Sequence, residues 1–202
     1  MRMSGAESDV IDALVGITPG SPLDAIRVRR PQARAHAQAT YRALFVPAAP
    51  GHVTAPERFA VGGFVAGLHG ATAIAVYYAA RLAESGASTV LREAVDAAIA
   101  EARTSGPYGR YPAGPLSRED TAGVSYRVGA AIRPRLGPRL AAAFEHVHML
   151  VFHPRDAAPA ALQALLDAGW STTDIVTLSQ IVAFLSFQIR VVTGLRILAG
   201  HS

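Results

Sequence analysis

The stretch LHGATAIAVYYAARLAESG, residues 68–86, decides how this chain is read. It closes a run without a single charge, residues 59–80. At about 1.5 Å per residue such a run is long enough to cross a hydrocarbon layer of about 30 Å. It could equally pass through a protein core, or line a site. Four glycines (Gly62, Gly63, Gly67 and Gly70) and His69 interrupt it, and the flanking Arg58 and Arg81 give no topological asymmetry. A second apolar stretch, residues 175–189, is short for a span and carries Ser179, Gln180, Ser186 and Gln188. Helices apolar on all sides and buried in a core explain both stretches. The expectation is a soluble protein that meets no membrane.

Composition supports that expectation. Of the 202 residues, 50% are hydrophobic, which suits one domain with a sizeable core. All 19 basic residues are arginines, as expected from a GC-rich genome, and the formal charge is only +4. A nucleic-acid binder would show a basic stripe. The one local cluster, RVRRPQAR at residues 27–34, lacks interleaved aromatics and reads as the solvated start of a helix. No nucleic-acid partner is expected. There is no cysteine, which excludes disulfides, thiolate nucleophiles and cysteine metal sites. Acids at Glu7, Asp9 and Asp12 stand where a secretory signal needs an apolar centre, so the expected location is the cytoplasm.

Helical signals dominate the chain, and no strand alternation persists, so the fold class is all-α. Ser8 or Asp9 can cap a first short helix, and Pro31 opens another. One domain, residues 1–202, is expected: N-terminal helices and loop (1–55), central helices (56–103), a loop rich in Gly and Pro (104–120), and C-terminal helices (121–202). Helical pattern resumes near Arg139, stops before Pro154, restarts at Pro159 and ends at Gly169. A last helix begins with Ser171 or Thr172 as cap and Asp174 in its first turn.

GATAIAVYYAARLAESG, residues 70–86, resembles the core helix-turn of the alkylhydroperoxidase D-like, or carboxymuconolactone decarboxylase, superfamily. There a glycine, CxxC, three residues, a histidine and a small-residue helix lead to a second glycine; Gly70 and Gly86 match without a gap. Residues 167–195 resemble the companion helix of the peroxidase-related branch, with its aromatic-x-x-aromatic-x-x-Arg run at Phe184, Phe187 and Arg190. Residues 140–171 resemble the segment preceding that helix. The resemblance implies an alkylhydroperoxidase D-like helical bundle. It also implies a homo-oligomer (dimer, trimer or hexamer) with its site near a subunit contact. The reactive letters are missing: Ala71 and Ile74 stand for the cysteines, Tyr78 for the relay histidine and Phe59 for the glutamate. Thiol peroxide reduction needs a thiolate to attack and a second thiol to resolve. This chain alone cannot perform it.

The remaining chemistry clusters in FEHVHMLVFH, residues 144–153. Glu145 and His148 are helical neighbours at i and i+3, a pairing that could fix one imidazole tautomer and raise its pKa for proton abstraction beside a carbonyl. His146 and His148 point about 200° apart, and His146 and His153 are too far apart to chelate one ion. No metal site and no cofactor are expected. Glu145, His148 and Tyr78 are the catalytic candidates; His69, His146 and Arg190 are the candidates for ligand contact. Arg190, if buried, needs Glu57, Glu145 or Asp167, or a ligand carboxylate. Trp170 reads as a packing residue beside the last cap. Three functions stay open: binding a small organic molecule with acid–base chemistry, a non-catalytic oligomer whose old site is filled, or a peroxidase-related protein working through a cysteine-bearing partner.

Overall fold

A computed structural model describes residues 9–200. Among these described residues nine α-helices follow one another: α1 (Val10–Val15), α2 (Pro22–Val28), α3 (Pro31–Phe45), α4 (Ala55–Leu68), α5 (Thr72–Glu84), α6 (Thr89–Ala102), α7 (Arg133–Phe152), α8 (Pro159–Asp167) and α9 (Thr172–Leu198). Short 3-10 turns lie at Pro115–Glu119 and Pro154–Asp156. Among the described residues no strand forms, only one isolated bridge between Gly109 and Thr121. The class is all-α. Asp9 caps α1, accepting from the amides of Ile11 and Asp12 at 3.0 Å each; Ser8 and Glu7 lie outside the described residues.

The uncharged run is two helices, not one. Gly70 takes a left-handed φ of +65°, a conformation that disfavours side chains, and turns the chain between α4 and α5. Neither helix is then long enough to cross a membrane. From Arg58 to Leu68 every residue of α4 is buried, because α5, α6, α7 and α9 all pack against it. Its glycines make that approach possible. A Cβ at Gly62 would stand 2.7 Å from the Tyr78 ring, and one at Gly67 would stand 2.5 Å from Ile99. Glycines that cost helix propensity here admit close neighbours.

The second apolar stretch lies inside the last helix. α9 runs for 27 residues and is, among the described residues, the one helix long and apolar enough to span a bilayer. Half of its apolar window is buried inside the protein, against α1, α3, α4, α7 and α8. Ser171 is its cap, in a reciprocal box with Asp174. Trp170, just before it, is 2% exposed.

The arginine cluster is solvated only in part: Arg29 and Arg30 are exposed, whereas Arg27 and Arg34 are held in ion pairs. Arg27 is buried against Asp9 at 2.6 Å and Asp12 at 2.7 Å, while Arg34 pairs with Asp12 and, at 2.9 Å, with Asp24. This network joins α1, α2 and α3. Helix α2 itself escaped the sequence reading, although Ser21, Pro22 and Asp24 form a recognisable helix start. Helix resumes at Arg133, earlier than the expected Arg139, and breaks once at Gly137 (φ +77°) before running on from Pro138; α-helix is absent from residues 103–132, which outruns the expected loop at 104–120.

Candidate functional site

The positions that the resemblance assigns to reactive groups are packed with other side chains. Ala71 caps α5, while Phe59, Ile74 and Tyr78 are buried. Tyr78 is 0% exposed and donates its hydroxyl to Gln188 Oε1 at 2.8 Å. Its ring packs on Phe45 at 5.0 Å and edge-on to Tyr77 at 5.2 Å. Burial pushes its phenol well above the ordinary range, so the hydroxyl stays protonated. Tyr78 reaches no cleft. His69 ends α4 half-buried; burial, then the charge of Arg190, lowers its pKa. Arg190 is exposed and donates to the Ser186 carbonyl at 2.7 Å. It pairs with none of its expected partners. Glu57 binds Arg139, Glu145 binds Arg127 and Arg133, and Asp167 accepts from Gln163.

The histidine cluster does border open space. Helix α7 presents Ala142, Glu145, His146 and Met149 at helical spacing along one wall of a cleft of about 780 Å³. Opposite them α8 offers only Ala160, Ala161 and Ala164, whose small side chains leave the cleft unfilled. Residues 120–127 of the long loop form a third side.

Glu145 is committed elsewhere than expected. It accepts from Arg127 Nη1 at 2.8 Å, from the Val128 amide at 3.0 Å, and from Arg133. Helical spacing offered it His148; the returning loop offers two guanidinium groups and an amide, and charge-assisted bonds win. Glu145 is therefore an anchor for the loop. His148 is 1% exposed, among the rings of Phe152 at 4.8 Å, Tyr126 at 5.1 Å and His153 at 5.8 Å. Burial first, then His153, lowers its pKa to about 4, with only a backbone hydrogen bond at Ala102 opposing. That reverses the expected rise, since the carboxylate meant to cause it is occupied.

His146 and His153 both line the cleft. His146 is 6% exposed, and its Nδ1 is buried without a hydrogen-bond partner. Burial lowers its pKa, so the ring is neutral at pH 7. His153 ends α7, and the 3-10 turn opened by Pro154 brings Asp156 to its ring, Nδ1 to Oδ2 at 3.1 Å. In the Nδ1–H tautomer this is a hydrogen bond that leaves Nε2 uncommitted. Asp156 is steadied in turn by the Arg110 amide, which donates to Oδ1 at 2.8 Å. Tyr108 stacks on His153 at 4.9 Å. Gly123 makes room for that ring, since a Cβ there would lie 2.0 Å from it. The sequence reading missed Asp156, although His-Pro-x-Asp is a signal: proline starts a turn that returns the third residue to the histidine.

His153 lies seven positions after His146, about 10 Å along a helix axis. The pair can flank a small molecule but cannot chelate one ion. Among the described residues no three acidic or histidine side chains converge as metal ligands. No family model, curated protein or solved structure matches this chain.

Proposed function

We propose that this protein is a cysteine-free, cytoplasmic relative of the alkylhydroperoxidase D-like superfamily, and that its working site is the α7–α8 cleft. It binds a small polar carbonyl compound there, such as a lactone or 2-oxo acid, and moves a proton beside the carbonyl. One observation carries the reading: His146, whose buried Nδ1 has no hydrogen-bond partner, lines the same cleft as a carboxylate-oriented His153. His153 Nε2 takes the α-proton while Asp156 stabilises the imidazolium. The neutral His146 ring donates to the carbonyl oxygen as it gains charge. Return of the proton from His153 closes the cycle without any redox change.

Exchange of α-protons in D2O, followed by proton NMR over a panel of lactones and 2-oxo acids, tests this. At least one compound is expected to exchange faster with protein. His153→Ala and His146→Ala should each lose about 100-fold or more. Ala164→Phe, which fills the cleft from an exposed helix position, should abolish the effect at unchanged melting temperature. No exchange across the panel, or full activity in His153→Ala, would defeat the proposal.

A second reading concerns assembly, and the outer face of α9 favours it. Val176, Ala183, Phe187, Gly194 and Ile197 recur at helical spacing and are exposed, with Val176 at 56%, Phe187 at 47% and Ile197 at 62%. Arg190 is the one charge on this face. A homo-oligomer that buries it is expected to show a multiple of the chain mass in light scattering, and Phe187→Glu should reduce it to a single chain. Wild-type protein at the mass of one chain would remove this reading.

A further inference from the structure

A second cleft, of about 810 Å³, lies between α1, α3, α4, α5 and the loop at residues 46–54. Much of its lining is apolar, including Val10, Phe45, Val46, Pro47 and Phe59. Arg58 also lines it, although it is only 4% exposed.

The bonding of Arg58 is one-sided. Nε donates to the Val53 carbonyl at 2.9 Å, Nη1 to Leu44 at 2.6 Å and Nη2 to Pro50 at 2.7 Å. All three acceptors are neutral. A guanidinium has five N–H groups and stays protonated in proteins, so one N–H on each Nη is left over. The acids around it are already engaged: Glu57 pairs with Arg139 at 2.9 Å, Asp174 serves the α9 cap and faces Arg139, and Glu84 on the same cleft pairs with Arg81. Burying a cation without an anion is costly. The three carbonyl bonds explain how Arg58 braces the loop to α3 and α4. They do not explain why a formal charge with two spare donors belongs to a residue that lines a cleft with so much apolar wall.

We propose that this cleft is a binding site for an apolar carboxylate, an aliphatic or aromatic acid, with its carboxylate on Arg58. The two spare N–H groups suit the two oxygens of a carboxylate. The apolar lining suits a hydrocarbon body, and the volume is that of ordinary small-molecule sites. A phosphate ester fits less well: two donors on Arg58 undersupply a dianion, and the other guanidinium on the wall, Arg81, is already paired with Glu84. The site shares no lining residue with the α7–α8 cleft, so it stands independently of the proton-transfer reading.

Calorimetric titration of the whole chain with octanoate and phenylacetate, beside their methyl esters and inorganic phosphate, tests it. At least one of the two acids should bind saturably at one site per chain, and its ester at least tenfold more weakly. Phosphate should give no heat of binding. Ala13 lines the cleft from an exposed position on α1, so Ala13→Trp should abolish acid binding while melting and circular dichroism stay unchanged. Arg58→Lys, which keeps the charge but not the fork, should weaken binding tenfold or more. His153→Ala should leave it untouched. Esters binding as tightly as acids, neither acid binding, or Ala13→Trp binding like wild type would each overturn the proposal.

Discussion

Trp170→Ala is expected to destabilise the protein by about 4 kcal/mol, the range in which large buried aromatics fall. The side chain is among the largest that are fully enclosed, at 2% exposure. Three losses coincide. Truncation opens a cavity between α7, α8 and α9, which cannot collapse freely because the three helices are joined by short connections. The indole N–H donates to the Arg139 carbonyl at 3.0 Å, so a buried bond disappears. The Arg139 guanidinium lies 4.3 Å over the indole ring, and from there it reaches Glu57 at 2.9 Å and the Gly169 carbonyl. Without the ring that guanidinium loses a stacking partner and part of its orientation. Trp170→Phe restores the apolar area but neither the N–H bond nor the full ring, and should recover roughly half. Urea melts read both variants, and the alanine variant should melt about 10 °C lower at this chain length. A loss below about 1 kcal/mol would show that α9 is not held at its N-terminus by this contact.

That cluster also shows what sequence can and cannot reveal. The buried centre was legible because residues 59–68 carry no charge and no exposed polar face, and α4 is enclosed on all sides as a result. The polar residues within α9 were harder to read. Ser179 and Gln188 look like interruptions, yet Ser179 bonds back to the Ile175 carbonyl at 2.9 Å and Gln188 accepts from Tyr78. Polar side chains with local or cross-helix partners do not end a helix. The site was half legible. Glu145 and His146 were found as a cluster, but spacing alone assigns partners only along one helix. The true partners of Glu145, Arg127 and Arg133, arrive from a loop whose path no local pattern encodes. The same loop brings Tyr126 onto His148, which is why the direction of that histidine's pKa could not be read from its neighbours in sequence.

His148 should make the native state acid-sensitive above the range where carboxylates titrate. Its ordinary pKa is 6.5, and in the fold it is lowered to about 4. Between those values the unfolded chain binds a proton at this residue and the native chain does not. Stability therefore rises with pH across the window and is lost as pH falls through it. Each pH unit corresponds to about 1.4 kcal/mol, so the full window is worth up to about 3 kcal/mol. Below pH 4 both states carry the proton and this contribution stops changing. His146 and His69 are shifted in the same direction by burial and steepen the trend. Subtracting a variant isolates the share of His148. His148→Phe suits the ring-lined site beside Tyr126 and Phe152, and it removes the titration at the cost of the Ala102 hydrogen bond. The variant should start lower at pH 8 and then lose less stability than wild type on acidification, with the two urea-derived curves converging between pH 6.5 and 4. Carboxylate titration acts on both proteins alike and cancels in the difference. Parallel curves would mean that the native chain admits the proton at His148, and the tightly packed contact between the central loop and α7 would then have to open on acidification.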